Sequence, residues 1–215
     1  MSTLHQVSIS ANCIGSALVV KHLGLNVGFK EVDFDPAKGL DTKTEAFMQM
    51  NPMHCIPTYQ DKDGWSMWES NAIVKVLCDG SDLIPEKRRE TAARAALAAD
   101  FKACTLYPRL GKLAYPFYGF AKPADDVAQA TQQAEEALNV LDTWFLKEKS
   151  FVAGTELTYA DFNIYSTVLF AKLAGVVLPE GVESYLDRFE TAVPSTQEVT
   201  AALRGFADSL AKKGV

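Results

Sequence analysis

Positive charge is in short supply in this chain of 215 residues: 21 lysines and arginines stand against 27 aspartates and glutamates, a formal charge of −6. No basic cluster could track a phosphate backbone, so nucleic acid is excluded as an expected partner. Lys87, Arg88 and Arg89 form the densest basic run, and Glu86 and Glu90 bracket it, which is the pattern of a solvated helix start. Cysteine is sparse as well. Cys13, Cys55, Cys78 and Cys104 lie far apart, with no C-x-x-C pair and no histidine at zinc spacing. Free thiols and no metal site are expected, and a disulfide framework is not. Long apolar runs are missing too: none approaches the roughly 18 residues a membrane span requires. The first 20 residues lack a basic leader ahead of an apolar core, so a cytoplasmic protein without a membrane partner is expected. Tyrosine is absent before Tyr59.

What is present suits a folded protein. A 48% hydrophobic and 22% charged composition can bury a real core, and the length allows one large domain or two small ones. The two halves differ in texture. Leu4 to Ile9 predicts a strand; Asn12 can cap a helix that reaches His22, and Gly24 can end it. Val27 to Phe34 alternates as a strand, with Val27 and Phe29 expected to face the core. A short helix is predicted from Asp41 to Met50. The stretch from Pro57 to Gln60, the Asp63-Gly64 turn and Trp65 to Trp68 predict a hairpin, and a helix from Ser70 presents Ile73, Val74 and Leu77 on one face. That βαβαββα order is a thioredoxin-like layout. Beyond the turn-rich Gly80-Ser81-Asp82-Leu83-Ile84-Pro85, the chain predicts amphipathic helices only, near 90–120, 124–147, 158–173, 181–191 and 195–212. The expected class is α+β: a thioredoxin-like domain over 1–79, a linker over 80–87 and an all-α domain over 88–215. Thr158-Tyr159-Ala160-Asp161 makes a capping-box variant, with a role in folding rather than chemistry.

A thioredoxin-like unit puts its reactive group where the first strand meets the first helix, because the helix amides and dipole there stabilise an anion. A dithiol oxidoreductase would carry Cys-x-x-Cys at that junction. This chain reads Ser10-Ala11-Asn12-Cys13. A hydroxyl has no redox chemistry, but it can donate a hydrogen bond to a thiolate brought by a ligand. Further on, Asn51-Pro52-Met53-His54-Cys55-Ile56-Pro57-Thr58 places a proline between loop and strand, where a cis bond would expose the backbone of Ile56 to a peptide-like ligand. Glu69-Ser70-Asn71 opens a helix, whose first amides suit a carboxylate while Glu69 suits an ammonium.

These segments resemble the glutathione-site signature of cytosolic glutathione transferases, above all the delta, epsilon and theta classes with their N-P-x-H-x-[IV]-P segment. The resemblance extends through Trp68-Glu69-Ser70-Asn71-Ala72-Ile73, Asp100-Phe101 with Thr105-Leu106-Tyr107, Tyr115-Pro116, and the Gly154, Leu157, Thr158, Ala160, Asp161 pattern, in order along nearly the whole chain. It implies an enzyme that activates the thiol of glutathione, its co-substrate, for attack on a small apolar electrophile. It also implies a homodimer and a role in detoxification, with no metal.

By that resemblance Ser10 is the catalytic hydroxyl, fourteen residues before Gly24. Ile56 pairs with the cysteinyl unit between Cys55 and the cis Pro57, His54 lies near the glycyl carboxylate, and Glu69, Ser70 and Asn71 hold the γ-glutamyl end. Asp100, from a second subunit, completes the ammonium contact. Asn12, Tyr107, Tyr115 and Phe206 are expected at the electrophile. Pro108 and Pro116 are expected to bend the helix that carries the two tyrosines. The chain departs from the delta pattern at Asn12 and Ile14, which stand for Pro and Arg, at Thr42, where a basic or polar residue of the second helix is common, and at Asn71, which stands for Arg. The expected site is therefore short of cations. Peroxide reduction, isomerisation or dehalogenation on the same thiolate, and a non-enzymatic carrier or assembly module, are the alternatives.

Overall fold

Leu4 is the centre of the first half because it is fully buried with a neighbour on either side: it stands opposite Phe29 on one strand and Tyr59 on the other. In the computed structural model, which describes residues 1–35 and 39–214, strands β1 (Ser2–Gln6), β2 (Val27–Glu31), β5 (Thr58–Gln60) and β6 (Ser66–Met67) form one sheet in the order β2-β1-β5-β6. β1 and β2 are parallel because helix α1 (Ala11–His22) crosses between them, whereas β5 and β6 are joined as an antiparallel hairpin. Between β2 and β5 lie a small antiparallel pair, β3 (Phe34–Asp35) and β4 (Gly39–Leu40), and the short helix α2 (Glu45–Met50). Helix α3 (Ser70–Leu77) closes the unit and buries Ile73, Val74 and Leu77, the face predicted from spacing. This is the thioredoxin-like unit, and it is followed by an all-helical one.

Three expectations change. Phe29 is 39% exposed, because β2 is the edge strand of the sheet. Helix α1 begins after Ser10, not Asn12, since Ser10 already has extended backbone and its carbonyl accepts the amides of Cys13 and Ile14 at 2.9 and 3.0 Å. Helix α2 starts only at Glu45, capped by the Thr44 hydroxyl on the Phe47 amide, so Thr42 precedes it.

The helical half comprises α4 (Arg89–Phe101), α5 (Tyr107–Phe117), α6 (Val127–Val140), α7 (Tyr159–Leu173), α8 (Glu180–Ala192) and α9 (Thr196–Ala211). A π turn, Lys102–Leu106, joins α4 to α5 directly ahead of Pro108, and α5 stops one residue after Pro116. The π turn follows from Pro108, which lacks an amide and crowds the preceding turn, whereas α5 ends in a glycine cap, with Gly119 at φ 73° and the Phe120 amide on the Tyr115 carbonyl at 2.9 Å. Val215, at the end of the expected second domain, lies outside the described residues.

Helix α7 is the axis of the molecule, buried on nearly every side from Tyr159 to Ala171. Its start is fixed by the capping box: Asp161 accepts from the Thr158 amide and hydroxyl, each at 2.9 Å, and from the Val152 amide at 2.9 Å. Helix α1 packs against α7 through Gly15. A Cβ there would lie 2.0 Å from Oδ1 and 3.2 Å from the Cα of Asn163, so no side chain larger than hydrogen fits. The Asn163 carboxamide then donates to Asn71 Oδ1 at 2.7 Å, and Asn71 donates to the Ala99 carbonyl at 2.6 Å. One chain of polar contacts thus ties α7, α3 and α4.

Gly15→Ala is expected to lower stability by about 1–3 kcal/mol through overpacking. Chemical denaturation should show most of that loss recovered when Asn163→Ala is added, since the clashing carboxamide is then gone. Asp161→Ala is expected to cost about 3 kcal/mol, because it strips two buried amides of their acceptor.

Candidate functional site

Two adjoining cavities open where α1 begins, and their chemistry differs. The first, of about 220 Å3, is polar and is lined by Ser70, Glu69, Asn71, Lys102, Ile56 and Asn12 among others. The second, of about 250 Å3, is mostly apolar and includes Ser10, Ile9, Phe34, Leu40, Tyr115 and Phe170. Asn12, Cys55, Ile56 and Tyr107 line both.

Ser10 sits at the N-cap of α1 with its side chain free of capping duty, so its hydroxyl can serve a ligand. Cys13, one turn on, is fully buried. Burial pushes its thiol up to about 12, against the opposing pull of the Val7 backbone and the Ser10 hydroxyl. It remains a neutral thiol at physiological pH and is no nucleophile. The Ile56-Pro57 bond is cis. Among the described residues neither the amide nor the carbonyl of Ile56 has a backbone partner, which leaves both for a ligand. Asn51 braces this segment from inside, donating to the Cys55 carbonyl at 2.9 Å and to the Thr58 hydroxyl at 2.8 Å.

Glu69 is the residue before α3, held at φ 71°, where a non-glycine backbone is strained. It is exposed, and it points no cap onto α3, so the first amides of that helix stay open. Asn71 reaches the polar cavity, but both ends of its carboxamide are engaged with Ala99 and Asn163. His54 is exposed, at φ 42°, and lines neither cavity; its carbonyl accepts from the Thr42 hydroxyl at 2.6 Å. Asp100 is exposed on α4 and also lies outside both cavities of this chain.

On the apolar side Tyr107 and Tyr115 meet edge to face and their hydroxyls share a hydrogen bond. Burial raises both phenols, so they stay protonated. Phe206 stacks on Tyr118 and Phe120 and backs the wall rather than lining it. Phe34, Leu40, Phe120 and Phe170 complete the lining, and sequence reasoning did not assign them there. Phe34 and Leu40 face each other across the small β3–β4 pair, an element too short to leave a periodic signal.

Lys102 is a cavity-lining residue that sequence reasoning missed. It is only 2% exposed, at the first position of the π turn, where it points inward. Its ammonium donates to Asn12 Oδ1 at 2.6 Å and Ser70 Oγ at 3.2 Å and lies 4.7 Å from the Tyr107 ring. Burial pushes its pKa down to about 8, while the charge of Glu69 holds it up. A lysine among Asp100, Phe101, Ala103 and Cys104 could have been suspected only by knowing that this turn is widened.

Below about pH 8 Lys102 is charged in both folded and unfolded chains, and the folded one bears the cost of burying it. Between about 8 and the ordinary 10.5 the unfolded chain binds more protons, so this cost fades as pH rises. Lys102→Met is therefore expected to stabilise the free protein by about 1–3 kcal/mol at pH 7. Denaturation of the two proteins in parallel should show that advantage shrinking as the pH approaches 10.

Comparison with known proteins supplies the context for this arrangement. Residues 9–79 match the N-terminal domain family of glutathione S-transferases, and residues 96–193 match the C-terminal domain family. The chain is 30% identical over 213 residues to glutathione S-transferase 2 of Anopheles gambiae, an alignment covering 95% of this chain and 96% of that protein. Its fold superposes on a Nilaparvata lugens delta-class glutathione transferase with a TM-score of 0.86 at 27% identity, over 99% of both chains. A Bombyx mori glutathione transferase in complex with GTT gives a TM-score of 0.82 at 26% identity, over 98% of this chain and 96% of that one. With the expected βαβαββα unit, the helical half and the cavities at their seam all in place, the chain belongs to the cytosolic glutathione transferase family, among its delta-like members.

Proposed function

We propose that this glutathione transferase binds glutathione in the polar cavity and uses the Ser10 hydroxyl to hold its sulfur as a thiolate beside an apolar electrophile. The observation that carries the reading is the position of Ser10: an N-cap hydroxyl that caps none of the amides of α1, next to the seam between a polar and an apolar cavity. Ile56 offers the cysteinyl unit an amide and a carbonyl, and the open amides of α3, with Glu69 and Ser70, take the γ-glutamyl end.

The energetics are modest. A free thiol near pKa 8.5 is mostly protonated at neutral pH, and lowering it by about two units requires about 2.7 kcal/mol. One hydrogen bond to a charged acceptor contributes about 1.5–3 kcal/mol, and the N-terminus of α1 adds to it. The hydroxyl donates to the sulfur; the thiol proton leaves to solvent. Attack on the electrophile then gains from proximity in a cavity walled by Phe34, Leu40, Tyr115, Phe120 and Phe170. Buried, protonated Tyr107 and Tyr115 give this wall one polar point, suited to an electrophile with a single acceptor.

A homodimer and a cytoplasmic location are part of this reading. Among the described residues no helix is long and apolar enough to cross a membrane, and no cluster of His, Cys, Asp or Glu could hold a metal ion. Asp100 lines neither cavity of its own chain, so its part in the ammonium contact is assigned to a second copy.

Ser10→Ala is expected to reduce kcat/KM with an aromatic halide acceptor by on the order of a hundredfold. Calorimetry should find glutathione affinity within about threefold of the unmodified protein, and the ultraviolet absorbance of the bound thiolate at neutral pH should disappear. An unchanged rate would reject the assignment of Ser10.

A further inference from the structure

Lys102 carries a buried positive charge with no carboxylate within ion-pairing distance among the described residues. Its partners are neutral: the Asn12 carboxamide, the Ser70 hydroxyl and the face of Tyr107. Glu69 acts on it only through space, and Cys13 is an un-ionised thiol. Helices α6 and α7 pack on the same turn, yet none of their charged groups contributes to its titration. A cation so placed is costly in the free protein, and an unpaired buried charge of this kind is complete only with an anion.

The place for that anion is set by Ser70. Its hydroxyl accepts from Lys102 and stands at the first position of α3, where the helix amides are open and the dipole favours negative charge. Lys102, Ser70 and those amides therefore face the same part of the polar cavity. The position that supplies an arginine in the delta pattern is Asn71 here, and its carboxamide is used up in tying α3 to α4 and α7. Among the described residues no other lysine or arginine lines the cavity.

We propose that Lys102 is the binding residue that pairs with the γ-glutamyl α-carboxylate of glutathione, supplying from the π turn the positive charge that α3 lacks. The assignment rests on the reading of this cavity as the glutathione site, not on the role of Ser10. It gives the ligand's carboxylate a charge-assisted hydrogen bond in a water-poor setting and leaves the ammonium of the same residue to Glu69. With the lysine losing its proton near pH 8, glutathione affinity is expected to fall in alkaline solution in step with that titration.

The test is a coupling measurement by calorimetry at pH 7. The unmodified protein and Lys102→Met are each titrated with glutathione and with 4-aminobutyryl-cysteinyl-glycine, which lacks only the α-carboxylate. The unmodified protein should lose about ten- to a hundredfold in affinity when the carboxylate is removed, and Lys102→Met should lose no more than about threefold. Lys102→Met should melt no lower than the unmodified protein, so weak binding cannot be blamed on unfolding. Equal losses in both proteins overturn the pairing. So does finding that coupling with γ-glutamyl-cysteine instead, which lacks the glycine unit: a loss in the unmodified protein that Lys102→Met does not share. Failure of the unmodified protein to bind glutathione at all overturns the glutathione-site reading on which the proposal rests.

Discussion

The closeness of α1 to α7 at Gly15 and Asn163 is the constraint from which the rest of the molecule follows. With only a hydrogen at position 15, the backbone of α1 approaches the carboxamide of a residue buried in the central helix. That contact fixes the first turn of α1 relative to the helical half, and the Asn163–Asn71–Ala99 relay fixes α3 and α4 to the same axis. Both helix N-termini that face the cavities are thereby set from one point. A site built from the junction after β1, the loop before β5, the start of α3 and the bend between α4 and α5 has no local means of assembling itself. It depends on a rigid seam.

The two cavities divide the chemistry of the protein by polarity. One side offers open amides, hydroxyls and a cation, groups suited to a charged peptide-like ligand. The other offers aromatic and aliphatic surface with a single pair of linked phenols. Such a boundary suits a thiolate, whose charge needs donors while its attack benefits from the exclusion of water. Cys13 lies close to this boundary but is sealed in the core as a neutral thiol, so it is not available to react.

Strain and uncompensated charge concentrate on the polar side. Glu69 is held at a positive φ without being glycine, and Lys102 is buried without a carboxylate. Neither is explained by folding, since each opposes stability. Both line the polar cavity. A scaffold secured elsewhere by the Thr158–Asp161 box and the buried aromatic faces of α7 and α8 tolerates these costs.

Much of this was legible in the chain itself. Periodicity and turn chemistry gave the βαβαββα order, the buried face of α3, the helical character of the second half and the cap at Thr158, because each depends on residues within one turn or one strand of each other. Ser10 in place of a redox cysteine, the segment before Pro57 and Glu69-Ser70 were visible for the same reason. Tertiary structure decided what depends on distant elements meeting. It turned Phe29 outward and drew Phe34, Leu40, Phe120 and Phe170 to one wall. It also spent Asn71 on the domain seam and, through a π turn that no local pattern announces, carried Lys102 into the cavity. Spacing along a chain encodes which face of an element is apolar; it does not encode which other element that face will meet, and a charge's environment is set entirely by that meeting.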